Sequence, residues 1–496
     1  MFTRSRVLRS VLWGVGGLVV VVGGIALLRA VQLESRQVST DAPEPFSVAS
    51  SAPERLARAL EFRTITKRDP AALDSAAYRD LYRYLETAFP AVHSTLRVAA
   101  VNDLSRLYTW TGTDTTASPV VLMAHVDVVP IEPGTRGEWT HPPFSGDISE
   151  GHVWGRGALD DKSSVVAILE ALSTMIQAGV RPERTVHVAL GHDEEVGGPR
   201  GASAMAERIT DGATSPAIVV DEGGAITKGA LPGLDRPLAV VGIAEKGYLS
   251  IELKTEAPGG HSSAPPDSTS IEILNEALGR LLDDPLSSRL DGVTGQMLDY
   301  VAPEMGFPMQ MALANRWLTA PAIRYALNQQ PTTKAAIRTV QVPTRLNAGV
   351  KDNVIPSTAT ATINYRILPS QSVDAVLAHV RSNVADLPVT IETGQTSEPT
   401  PVSSVGGTPF RVLQRTIREV TSDSVVVAPY LVPGATDSRY YADATEHVYR
   451  FLPYTLTPDD RGLIHGTNER ISIKDYRTLI RFYVQLLRNA DDLPAG

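Results

Sequence analysis

The chain has 496 residues, 43% of them hydrophobic and 20% charged, enough for roughly two to four folded domains with substantial cores. Its 46 Lys and Arg against 55 Asp and Glu leave a net charge of −9, which argues against nucleic acid as a partner. Without cysteine there are no disulfides and no thiolate metal sites, so a transition ion can be held only by His, Asp and Glu.

Arg4, Arg6 and Arg9 precede an uncharged apolar run from Val11 to Leu28, followed by Arg29. A run of ~18 apolar residues borders on both signal peptide and membrane span. No small-x-small cleavage pattern follows, so an uncleaved anchor over 1–31 is the expectation. The basic flank places the N-terminus in the cytoplasm and the rest outside it, in a periplasmic, extracellular or lumenal space, or secreted if the segment is cleaved. Polar residues 32–51 read as a linker.

Folded structure is expected from Pro53. Leu56, Leu60 and Phe62, then Leu81, Tyr82, Leu85 and Phe89, recur at helical spacing. Strand-like runs follow at Leu96–Val101, Arg106–Trp110 and Val120–Ala124, a helix at Ser163–Gln177, and further strands at Thr185–Leu190, Ala217–Val220 and Ala239–Ile243. Strands alternating with helices predict a mixed α/β sheet covered on both faces, with functional residues at strand ends. After Glu245 the pattern becomes half-exposed strands with two helices, an inserted α+β unit of split-βαβ, ferredoxin-like type over 244–395. Within it, 284–339 is apolar and rich in Met, and is expected to be an extra helical pair burying its own core; a pocket or membrane-facing patch is the alternative. Helix and strand patterns of the first domain, 52–243, resume over 396–490.

Polar clusters stand where the strands end. His125 and Asp127 fall on one face by period-two alternation. The carboxylate is positioned either to hold the second ring nitrogen or to meet an ion itself. Gly155–Lys162 delivers Asp160 on a glycine-rich turn. Adjacent Glu194 and Glu195 follow one strand, Asp221 and Glu222 another, and His465 with Asn468 and Glu469 precedes the last helix. Each alone reads as a cap or a solvated loop. Together they supply what a cysteine-free pair of zinc ions needs, with a carboxylate left over to take a proton from water. Glu194 and Glu195 are suited to divide the roles of base and ligand.

These clusters, in this order from Pro53 to about Arg488, resemble the dizinc metallopeptidase family of aminoacylases, carboxypeptidase S, glutamate carboxypeptidase and carnosine-type dipeptidases. The resemblance implies that His125 binds one zinc with Asp127 orienting it, that Asp160 bridges two ions, and that Glu194 is the general base. It further implies Glu195 and His465 as ligands of the second ion and Asp221 as the completing ligand of the first. Cobalt or manganese would suit the same donors. His261, after Gly259 and Gly260, resembles the histidine that donates to the substrate carbonyl, often across a homodimer formed through the lid. Asn353 and Arg366 resemble the segments holding the substrate carboxylate, and Thr436 and Asp437 the loop lining the site, with Ala435 where the family has glycine. A guanidinium suits a carboxylate by paired hydrogen bonds. Glu245–Tyr248 and the His465 segment look closest to the branch of carboxypeptidase S and of membrane-anchored or secreted N-fatty-acyl-amino-acid synthase/hydrolases. The implied reaction is cleavage, reversible in principle, of N-acyl amino acids. The alternative is a carboxypeptidase or dipeptidase on short peptides with a free C-terminus. A non-catalytic tethered binding protein would be expected to lack a ligand or the base, and none is missing.

Overall fold

The computed structural model describes every residue except 1, 42, 45, 212, 213, 230, 458, 459, 461, 495 and 496, and no side chain of 2–11, so those of Arg4, Arg6 and Arg9 lie outside it. The N-terminal run forms helix α1 (Phe2–Val31), of which Leu12–Val31 is long and apolar enough to cross a membrane, with mean hydropathy 2.1. Its apolar side chains are mostly exposed, whereas Ala26 and Ala30 are buried. The described residues of 32–51 contain no helix or strand, yet part of the segment is docked. The Gln37 amide accepts from the backbone N–H of Val427 and donates to its carbonyl, and the Thr40 hydroxyl donates to Asp423.

Among the described residues, the chain builds a ten-stranded mixed sheet. Val120–His125 lies parallel between Val186–Gly191 and Ile218–Asp221, and Val448–Arg450 runs parallel beside the latter. Every residue of Val120–His125 is buried, as an unbroken apolar strand covered on both faces must be. Helices Lys162–Gln177 and Ile473–Asn489 cover one face. Ala202–Thr210 covers the other with Met205 and Ile209. Parallel strands end at a common edge, and it is there that His125, the Glu194 loop and Asp221 emerge.

The inserted unit has its own four-stranded antiparallel sheet and a separate core. In chain order its strands are Gly247–Glu256, Val340–Ala348, Thr358–Ile367 and Val389–Ser397, and in space they lie second, third, first, fourth. With helices Ser270–Asp283 and Val373–Asn383 this is the split-βαβ arrangement expected. A capping box of Thr269 and Glu272 starts the first of these helices.

The expectation for 284–339 needs correction. It forms four helices rather than a pair: α2 (Gly292–Val301), α3 (Phe307–Ala314), α4 (Arg316–Leu327) and α5 (Pro331–Ile337). Val293, Leu298, Val301 and Met305 join the core of the large sheet instead of forming one of their own, because α2 packs on the strand Val426–Val432.

Candidate active site

His125, the last residue of its strand, is 1% exposed. Its Nδ1 lies 3.0 Å from the backbone carbonyl oxygen of Asp127 and 3.4 Å from that residue's Oδ1. A ring nitrogen facing a carbonyl carries a proton, so Nε2 is the ring nitrogen turned to the cluster. Nε2 faces Asp160 Oδ1 at 2.8 Å and Glu222 Oε1 at 3.2 Å. The second Asp160 oxygen is 2.9 Å from His465 Nε2, which is itself 3.2 Å from Glu195 Oε2. One carboxylate therefore joins two imidazoles, each with a further glutamate.

Carboxylate oxygens converging on imidazole nitrogens need protons or cations between them: burial pushes His125 down, but Glu222, Asp127 and Asp160 outweigh it and raise it, and the bonds to Asp160 and Glu195 raise His465 to about 10. Burial, opposed by His125, pushes Glu194 and Glu222 well above the usual carboxylate range, and neighbouring carboxylates push them further. Burial raises Glu195 as well, against its bond to His465. Asp160 goes the other way: burial pushes it up, but the bonds from His125 and His465 outweigh burial and hold it below its ordinary value. Three sets of potential ligand atoms lie within 4.8 Å of one another: His125, Asp160 and Glu222; His125, Glu194 and Glu195; and Asp160, Glu195 and His465. This excess of buried negative charge, with donor types suited to divalent ions, fits a metal centre.

Asp127 does more than face the imidazole. Its two oxygens accept from the backbone N–H groups of Glu194 (3.2 Å) and Glu195 (3.1 Å), fixing the turn that carries both glutamates. Asp193 closes the same loop by accepting from Arg200 and Gly201.

For Asp221 the structure departs from the expectation. Asp221 shares the strand face of Val219, which packs with Tyr441, and there its Oδ2 accepts from the Ser438 N–H at 2.8 Å. Glu222, one residue beyond the strand, turns to His125 instead, as a one-residue step reverses the face. Asp437 is another departure. It is 4% exposed, lies behind the Glu194 loop and does not line the cavity. A Cβ on Gly198 (φ +70°) would stand 2.0 Å from its Oδ1, so only glycine lets the loop close over it.

A cavity of about 900 Å³ opens from the cluster and contains Asp160, Glu194, Glu195, Glu222 and His465 in its wall. Thr436 and Arg366 line it, the guanidinium lying 4.8 Å over the Tyr248 ring. Thr436 donates through both N–H and hydroxyl to buried Glu245, which pairs with Arg450. Apolar side chains also line the cavity, among them Leu231, Met297, Leu298, Leu327, Ile337 and Leu456. His261 and Asn353 do not line the cavity. They sit together where the short strands Gly260–His261 and Val354–Ile355 of the inserted unit pair at an exposed edge, and Ser262 N–H donates to the Asn353 carbonyl.

Sequence reasoning put Glu469 in a polar cluster but gave a role neither to it nor to Arg156. Glu469 is fully buried, and its Oε1 accepts from the N–H groups of Gly157, Leu159 and Asp160. Arg156 pairs with its other oxygen and donates to the carbonyls of His465 and Gly466. The pair joins the Asp160 turn to the His465 loop. An ionisable residue beside a ligand in an otherwise local motif was the available signal. Lys246, also in the cavity wall, donates to the carbonyls of Arg338 and Arg366, and burial lowers its ammonium to about 8.

A strand-end histidine and a loop histidine joined by one carboxylate, beside half-buried glutamates in an open cavity, define a metal-dependent hydrolase. Residues 121–489 match the peptidase family M20/M25/M40, and the chain belongs to that family. It is 38% identical over 443 residues to the probable carboxypeptidase S-like 2 of Dictyostelium discoideum, covering 88% of this chain and 85% of that one. It is 39% identical over 426 residues to the N-fatty-acyl-amino acid synthase/hydrolase PM20D1 of Mus musculus, covering 84% of each. Its fold matches the M20 family metallo-carboxypeptidase Sso-CP2 from Sulfolobus solfataricus with a TM-score of 0.65 and 17% identity, over 89% of this chain and 99% of that one.

Proposed function

We propose that the protein hydrolyses, and in reverse forms, the amide bond of N-fatty-acyl amino acids using two zinc ions. The observation carrying this reading is a single cavity with Asp160, Glu194, Glu195, Glu222, His465 and Arg366 in its wall beside a large apolar lining. In this reading His125, Asp160 and Glu222 hold one ion, and Asp160, Glu195 and His465 the other. Bound there, the ions supply an acidified water and polarise the amide carbonyl.

The chain's own residues then do the following. Arg366 pairs with the carboxylate of the amino-acid part, and the apolar wall takes the acyl chain and excludes water. Glu194, whose carboxyl burial raises above its usual range, accepts the proton of the attacking water and passes it to the leaving amine. His261, far from the cavity wall, serves only if a second subunit presents it, which the homodimer expectation supplies. Helix α1 anchors the enzyme with the catalytic part outside the cytoplasm.

A second reading, a carboxypeptidase, is favoured by the Dictyostelium relative and by an arginine suited to a C-terminal carboxylate. Hydrolysis of N-oleoyl-phenylalanine is to be compared with that of short dipeptides on metal-loaded protein. A higher kcat/KM for the acyl amino acid is expected; preference for dipeptides replaces the first reading with the second.

A further inference from the structure

Helix α1 is not free of the body. The Asn315 Nδ2, buried at the junction of α3 and α4, donates to the carbonyl of Ala26 at 3.0 Å, and α1 packs along α3. Ala26 lies five residues before the end of the apolar span at Val31. At 1.5 Å per residue that is about 7 Å inside the span's outer end, within the depth of ~5–10 Å at which interfacial helices lie. A bilayer crossed by Leu12–Val31 therefore reaches the α3–α4 junction.

The side chains there suit that depth. Phe307 at the start of α3, and Trp317, Leu318 and Tyr325 on α4, are 49%, 55%, 53% and 72% exposed. The three on α4 fall within an arc of about 100°. The Trp317 indole N–H is already bonded to Asn315 Oδ1, so the ring needs no water. The break between the helices would leave carbonyls bare, a heavy cost in lipid. Here Asn315 Nδ2 also donates to Met311 O, and the Thr319 hydroxyl to Ala312 O and Asn315 O. Arg316 alongside is paired with Asp299 at 2.6 Å. From this junction α4 runs 12 residues, about 18 Å, to Leu327 in the cavity wall.

We propose that the exposed face of α3 and α4 is seated in the outer layer of the lipid bilayer that α1 crosses, and that acyl chains enter the cavity from that contact. The entry step rests on the acyl-amino-acid reading above; the seating itself does not.

The absence of cysteine makes the test direct. Full-length Phe307→Cys and Trp317→Cys proteins carry a fluorophore and are reconstituted in phosphatidylcholine vesicles containing a lipid-borne nitroxide quencher. Val350→Cys, on the inserted unit and 94% exposed, is the control. Quenching at 307 and 317 well above that at 350 is expected; equal quenching at all three overturns the seating. The surface variant Phe307→Ser/Trp317→Ser/Leu318→Ser addresses entry. Its kcat/KM should fall severalfold for vesicle-borne N-oleoyl-phenylalanine and stay unchanged for soluble N-acetyl-phenylalanine. Unchanged rates on both substrates, with the labels still quenched, overturn the entry step. A wild type inactive on both acyl substrates but active on dipeptides overturns the functional reading and the entry step, leaving the seating to the quenching result.

Discussion

Asp127 Oδ1 accepts the backbone N–H of Glu194 at 3.2 Å and lies 3.4 Å from Nδ1 of the His125 ring, while Oδ2 accepts the N–H of Glu195 at 3.1 Å. One buried acid thus fixes both the imidazole and the turn that presents the proposed base. Asp127→Asn puts an amide donor against one of these N–H groups. Metal affinity and kcat should each fall about 10–100-fold, the range for a residue supporting a ligand. Glu194→Gln, by contrast, should lower kcat by about 10²–10⁴ with metal content per chain unchanged. Metal analysis and steady-state kinetics on the two variants separate the roles; equal metal loss in both contradicts them.

Glu222, not Asp221, faces His125. Glu222→Gln should therefore reduce bound metal from two ions toward one per chain, and Asp221→Asn should leave both. Mass spectrometry under native conditions reads the stoichiometry. The opposite pattern would restore Asp221 as the ligand.

Arg156 and Glu469 are both buried, and the glutamate also holds three backbone N–H groups around Asp160. Glu469→Gln leaves the Arg156 charge without its counter-ion. A loss of about 3–5 kcal/mol is expected from breaking one side of such a pair, read as a lowered denaturation midpoint. A shift of a few tenths would show that the pair contributes little.

His187, on the strand before the Glu194 loop, has its imidazole lowered to about 4 by burial and, to a lesser degree, by Arg97. Between pH 6.5 and 4 the unfolded chain binds a proton there that the folded chain refuses, so stability falls as the pH falls through that window. His187→Gln should remove on the order of 2 kcal/mol of this acid sensitivity, measured by denaturant titration at pH 7 and 4.5. Parallel curves for the two proteins would rule His187 out.

What the sequence determined is what short-range pattern carries. Apolar runs marked Val120–Ala124 and its neighbours as buried strands, and polar doublets after them marked the sheet edge. The βαββαβ succession named the inserted unit, and the order of the clusters pointed to the family. These features survive because alternation and helical spacing act over a few residues. The tertiary structure decided what depends on contacts distant in the chain. A single step past a strand end chose Glu222 over Asp221, since the Ser438 N–H, 217 positions away, claims Asp221. Glu469 became the holder of the Asp160 turn only once the chain had returned across 309 residues. The helices of 284–339 carry an apolar surface that periodicity describes but cannot assign. Only packing showed it divided between the large core, the cavity wall and α1, because hydrophobic burial is non-directional and the fold supplies the partner.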